Sequence, residues 1–283
     1  MAEIDKKIKL LKDYFEKRDD ILMAFVFGSF AKGKETAKSD FDVAVYFKPE
    51  NGRVEVEKGV FYKDEHVVWN DIERIIKRNT DMAVLNRVPA GLAYSAVQNG
   101  KPIIIKDRFI YIDFILRTGS RAFDFRDFVR DFLAIKARSH SLSLEDKDRL
   151  IKIINFLEGE LSDFEEYKAL DFKTYESDRK KKRSAERWVE NIVNASIDIA
   201  KILLASEKRR LPDTYADTLH LLAALPDFKE ETAEKIASFV DLRNLLSHEY
   251  LDLRFSQIQN FIKNAEPLYK ELVNYTDTFL KRS

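Results

Sequence analysis

Apolar residues fall along this chain in two rhythms. Through roughly the first 118 residues short apolar runs alternate with stretches at helical spacing, and beyond that only helical spacing remains. The short runs Ile21 to Phe27, Phe41 to Phe47, Asp81 to Leu85 and Ile103 to Ile105 predict four strands. Between them the spacing predicts helices over Ile4 to Lys17, Trp69 to Lys77 and Ala90 to Asn99. Arg121 to Arg138 reads as a helix joining two halves. Leu144 to Phe164, Ser184 to Ser206, Thr214 to Leu225, Glu230 to Glu249 and Phe255 to Leu280 then predict an all-α bundle of about five helices. Ser139-His140-Ser141-Leu142-Ser143 breaks the periodicity, and Ser143 with Asp146 three residues on has the form of a helix start. The expected domains are therefore 1–140 and 141–283. The fold class is α+β: an α/β domain with a small mixed sheet, followed by a helical bundle.

Composition narrows the picture only in places. With 283 residues, 45% of them hydrophobic, the chain can bury two ordinary cores. Lys plus Arg and Asp plus Glu are equal at 49 each, so any attraction to nucleic acid must be local. There are no cysteines, which removes disulfides and thiolate metal sites and suits a reducing, cytoplasmic setting. Met1 to Asp20 reads as a charged amphipathic helix, not a signal peptide, and no apolar run approaches the roughly 20 residues that span a bilayer. The basic run Arg179-Lys180-Lys181-Lys182-Arg183 precedes a predicted helix; a solvated loop is the plainer reading, RNA phosphate contact the other.

The richest local chemistry is Gly28-Ser29 followed, across a polar loop with Lys32, Gly33 and Ser39, by Asp40-Phe41-Asp42. Alternate residues of a strand share a face, so Asp40 and Asp42 project together and repel unless a cation sits between them. Hard divalent ions such as Mg²⁺ take oxygen ligands and commonly keep phosphate oxygens in their shell. Gly28 and Ser29, at a strand-to-helix turn, can aim amides at a phosphate.

The run GSFAKGKETAKSDFDVAVYF resembles the nucleotidyltransferase superfamily that includes DNA polymerase beta, and most closely its minimal nucleotidyltransferase branch. The resemblance implies ATP as substrate, two Mg²⁺ ions held by Asp40, Asp42 and a third carboxylate, here Asp81, and nucleotide contacts at Gly28, Ser29, Lys32, Gly33 and Ser39. Lys32 stands where that family often has Arg, keeping the charge but losing the bidentate fork.

A second segment, Arg243-Asn244-Leu245-Leu246-Ser247-His248-Glu249-Tyr250, puts a guanidinium, an amide, an imidazole and a phenol on one short helical stretch. An imidazole moves protons near neutral pH and a guanidinium holds a phosphodiester, which are the parts of a metal-independent ribonuclease. Arg243 and His248 lie about 140° apart on an ideal helix, so a second copy of the helix is expected to complete the site, making a homodimer.

This segment resembles the Arg-x4-His-x-Tyr signature of HEPN domains, especially HepT-like toxins encoded beside minimal nucleotidyltransferase antitoxins. The likeness runs from about Ser184 through Ile258 and includes Ala185-Glu186-Arg187, the helix bearing Glu190 and Asp198, and Leu211-Pro212-Asp213-Thr214-Tyr215. It implies Arg243, Asn244 and His248 as catalytic residues for RNA cleavage, and transfer of AMP to Tyr250 as the modification that silences the nuclease. Two other readings remain open. One is a nucleotidyltransferase acting on a small molecule, as aminoglycoside nucleotidyltransferases do with a similar pairing of domains; the other is a non-catalytic dimer that binds nucleotide or RNA. His66, His140 and His220 match no motif, and Trp69 and Trp188 are expected in cores.

Overall fold

A computed structural model describes residues 2–36, 39–138, 142–248 and 253–282. The chain divides into two compact units, Met1–Asp124 and Phe125–Ser283. That division falls inside a long helix, α5 (Arg108–Arg138), whereas 140, the boundary expected from the sequence, lies just past the helix end.

In the first unit the order is α1 (Ala2–Phe15), β1 (Ile21–Val26), α2 (Gly28–Ala31), β2 (Phe41–Phe47), α3 (Glu65–Ile76), β3 (Thr80–Val84), α4 (Ala90–Asn99), β4 (Lys101–Ile105) and the start of α5. The four strands form one mixed sheet in the order β3-β2-β1-β4, with β2 and β3 parallel and the other pairings antiparallel. Strand alternation gives each face its own core. Ala24, Val26, Val43 and Val45 face Leu11 and Phe15 of α1 and Val68 and Ile72 of α3. Met23, Phe25, Ala44 and Tyr46 face Ala93 and Val97 of α4 and Phe114 of α5.

The second unit is helical: α6 (Leu144–Ser162), α7 (Phe164–Lys168), α8 (Phe172–Ser177), α9 (Arg179–Ser206), α10 (Tyr215–His220) with a 3₁₀ turn at Leu221–Ala224, α11 (Glu230–Ser238), α12 (Val240–His248) and α13 (Phe255–Arg282). The central helix α9 buries one side almost continuously, from Ala185 through Ala205. Ser143 caps α6 as its sequence indicates, accepting from the Asp146 amide at 3.1 Å.

Four differences from the sequence reading have physical causes. Helix α5 starts at Arg108, not Arg121, because Phe109 to Leu116 is apolar on nearly every side and shows no stripe; Asp107 supplies the start, accepting from the amides of Phe109 and Ile110. The basic run is the opening of α9 and not a loop before it, since Asp178 caps the amides of Lys180 and Lys181. The single helix expected over 230–249 is broken at Phe239, which is buried with its ring 4.9 Å from Phe261. Trp188 is buried between Phe164, Tyr167 and Phe261 as expected, but Trp69 is 41% exposed, with its indole N–H donating to the Thr80 carbonyl at 2.7 Å. No helix among the described residues is long and apolar enough to cross a membrane.

Candidate functional site

The first site lies where β1 turns into α2. Its main chain is fixed to β2 by the Phe27 amide, which donates to the Asp42 carbonyl at 3.0 Å. Gly28 follows with a φ of +67°, and a Cβ there would stand 1.9 Å from Oδ2 of Asp42. Only glycine allows both this backbone and this closeness. The Ser29 amide donates to the Asp42 carboxylate.

Asp81 is the register partner of Asp42 on the adjoining parallel strand, so both side chains project from the sheet face that carries α4 and α5. Burial first, then the charges of Asp81 and Asp40, push the Asp42 carboxyl above its ordinary pKa, against the pull of the Ser29 amide. The cost of charge on Asp42 is one that a divalent cation would relieve, and carboxylate oxygens are the donors such an ion prefers. Among the described residues no three His, Cys, Asp or Glu side chains converge closely enough to hold a metal ion. The fit thus rests on donor type and charge, with Asp42 and Asp81 side by side in the strand register.

The rest of the loop is held by its own bonds. The Lys34 amide donates to the Ser29 carbonyl at 3.0 Å, and Gly33, with a φ of +64°, turns the chain in open space. Lys32 is exposed. The Ser39 hydroxyl accepts from the Thr36 amide at 2.9 Å, so it shapes the loop around Thr36. Arg78, which the sequence reading passed over, donates to the Thr36 carbonyl at 2.8 Å and lies over the Phe30 ring at 5.1 Å. It sits just before an apolar run, with no motif to mark it.

The second site is on α12, packed against α9. Arg243 donates from Nε to Oδ1 of Asn194 at 2.9 Å, and its guanidinium lies over the Tyr215 ring at 4.9 Å. Its Nη1 is 3.4 Å from Oδ1 of Asn244, which is itself buried. One turn on, Ser247 donates to Glu190 at 2.9 Å, and Glu190 also accepts from Arg187. Asn194 was not singled out by the sequence, although it is one of the polar positions interrupting the apolar side of α9. The main chain of His248 closes α12; nothing further of its placement is described, and Tyr250 lies outside the described residues.

These two arrangements can be set beside known families. Residues 9–109 match the family model "Polymerase beta, Nucleotidyltransferase", and residues 157–276 match "Ribonuclease HepT-like". The chain is a nucleotidyltransferase domain followed by a HepT-like HEPN domain. A solved structure of a mutant of the "toxin-antitoxin MntA-HpeT" is similar at 19% identity and a TM-score of 0.35, over 46% of this chain and 94% of that one. No curated protein matches the chain. The expected fold class holds: a small mixed four-stranded sheet with helices, then a helical HEPN region. Within the HepT-like match fall Glu190, Asn194, Tyr215, Arg243 and Asn244, and within the polymerase-beta match fall Gly28, Asp40, Asp42 and Asp81.

Proposed function

We propose that the chain is a self-contained toxin and antitoxin: its first half transfers AMP from ATP to Tyr250 of the second half, and this silences a metal-independent ribonuclease. The observation that carries the first part is the seating of the Asp42 carboxylate on the Ser29 amide, against Gly28 and in register with Asp81. It sets the turn after Ser29, whose next amides can meet a phosphate, beside acid side chains suited to a cation. Asp40, Asp42 and Asp81 would hold Mg²⁺, which when bound offsets triphosphate charge. Gly28 keeps the main chain close enough for the triphosphate to reach the carboxylates. The amides of the turn orient it, with Lys32, Gly33 and Ser39 along the loop.

In the transfer the phenolic oxygen of Tyr250 bonds to the α-phosphorus, the bond from that phosphorus to pyrophosphate breaks, and the phenolic proton passes to solvent. The products are adenylylated tyrosine and pyrophosphate. Both domains being on one chain raises the local concentration of the acceptor to about the millimolar range.

In the second half Arg243, steadied by Asn194 and Tyr215, is suited to hold a phosphodiester, with His248 moving the proton. The ribose 2′-oxygen attacks its own phosphorus, the bond to the 5′-oxygen breaks, and a cyclic phosphate and a 5′-hydroxyl result. A second copy of the chain completes this site, giving a homodimer. AMP on Tyr250 brings an anion that competes for Arg243.

The deciding measurement is the intact mass of the purified chain before and after incubation with MgATP, followed by peptide mapping. The reading expects a gain of one AMP on Tyr250, absent from the chain with Asp40→Asn and Asp42→Asn. It expects that unmodified chain to cut RNA in the presence of chelator. Label elsewhere only, or label that survives the double substitution, overturns it.

A further inference from the structure

Among its described residues the second unit has a cleft that combines cations, amides and an exposed aromatic ring and meets the second site at Asn194. It is an open groove of about 360 Å³ between α6 and α9. Arg149, Lys152 and Phe156 line it from α6, at positions i, i+3 and i+7 of one helix face. Arg187, Asn191 and Asn194 line it from α9, again along one face. Phe156 is 48% exposed although it borders a well-packed bundle. Arg187, 68% exposed at its side chain, pairs with Glu190 at 2.9 Å, and Arg149 is anchored at 2.8 Å to Asp131. Asp198, the one acid of the lining, is tied at 2.7 Å to the buried Lys201.

The cleft is connected to the Arg-x4-His helix through one side chain. Asn194 lines the cleft and also accepts the Nε proton of Arg243 at 2.9 Å. We infer that the α6–α9 cleft is the track along which single-stranded RNA reaches Arg243. Cations meet the phosphates, Phe156 offers a face on which a base can stack, and the amides of Asn191 and Asn194 can pair with base edges. From Arg187 to Asp198 the strip is about 16 Å long at the helical rise, room for a few nucleotides, and an exposed ring and side-chain amides engage the faces and edges that unpaired bases offer. The inference rests on the ribonuclease reading of the second half and adds to it the route and strandedness of the substrate.

The test uses the full chain carrying Asp40→Asn and Asp42→Asn, so that no AMP is attached. The probe is a fluorescent single-stranded 12-nucleotide RNA with 2′-O-methyl sugars, which cannot be cut. By fluorescence anisotropy, Lys152→Glu with Arg187→Glu is expected to weaken binding about 30-fold and to flatten its salt dependence. Phe156→Ala is expected to weaken binding about tenfold with little change in salt dependence. All three side chains are exposed, so the melting temperature should hold.

Absence of binding by the parent chain overturns the track. So does binding that the cleft variants leave intact while Lys180→Glu with Lys181→Glu reduces it. If the cleft variants instead change the molecular mass by light scattering, the cleft is an interface between copies and the track is overturned. The ribonuclease reading fails separately: a chain that binds the methylated RNA through the cleft yet never cuts unmodified RNA removes the nuclease and keeps the track. Cutting that persists undiminished in the cleft variants removes the track and keeps the nuclease.

Discussion

Gly28→Ala tests the nucleotidyltransferase site through a single methyl group, and its effect can be worked out in advance. The new Cβ would lie 1.9 Å from Oδ2, 2.8 Å from Cγ and 3.3 Å from Cβ of Asp42. To restore ordinary contact the carboxylate must retreat on the order of 1.5 Å, which breaks its bond with the Ser29 amide and its alignment with Asp81. A shift of about 1 Å in a reacting constellation costs roughly 100-fold in rate, so AMP transfer should fall at least about 100-fold. The left-handed backbone adds a conformational cost of about 1–2 kcal/mol, equivalent to a drop of roughly 4–10 °C in the melting temperature of a unit this size.

Gly52→Ala separates the two effects. Gly52 has a φ of +65° in the same unit but nothing within 4 Å of its would-be Cβ, so the control should lose similar stability and keep its transfer rate. The assay is incorporation of α-phosphate-labelled ATP at fixed time points, alongside thermal unfolding of each variant. If Gly28→Ala labels within about threefold of the parent while Gly52→Ala behaves as described, the closeness of Gly28 to Asp42 has no catalytic meaning.

Three further outcomes follow from the same structure. Asp42→Asn should abolish transfer yet raise the melting temperature, because it removes a carboxylate disfavoured by burial and by Asp81 and Asp40; Mg²⁺ should stabilise the parent more than the variant in the same melt. Burial pushes the Asp131 carboxyl up, but hydrogen bonds from Arg149 and Lys201 outweigh it and hold the pKa at about 2. Its stabilisation, about 2 kcal/mol, is therefore complete above roughly pH 4 and lost as pH falls from there towards 2; urea unfolding of Asp131→Asn across that range should show the loss already present at pH 7. Asn194→Ala should lower kcat for RNA cleavage about tenfold or more by freeing Nε of Arg243, and Asn194→Asp, which keeps an acceptor there, should recover part of the rate.

Legibility in the sequence followed how local the cause of each feature was. Helix α4 was readable to the residue and strand β2 nearly so, its start falling at Phe41, one residue past Asp40 of the aspartate pair, because their periodicity is contained within them. The Ser143 cap was readable for the same reason. The first turns of α5 were not, since a helix apolar on most sides carries no periodic signal. At the break, Phe239 packs on Phe261, 22 positions away, a contact that no window on the local pattern contains. At the sites, Gly28, Asp40, Asp42 and Asp81 came from spacing and resemblance, whereas the tie between Asn194 and Arg243 spans 49 positions and arises only when α9 and α12 pack.

The positions of the two tryptophans have an optical consequence. The chain has only two, Trp69 in the first unit and Trp188 in the second. Trp188 is sealed among aromatic rings, while Trp69 is partly open to water and bonded to the carbonyl of the residue before Asp81. Their emission bands should therefore separate, blue for the sealed indole and red for the open one. Melting of the first unit should show in the red band, and melting of the helical bundle in the blue. The protein thus carries an internal dye in each half, and the order in which its halves unfold can be followed through a single melt.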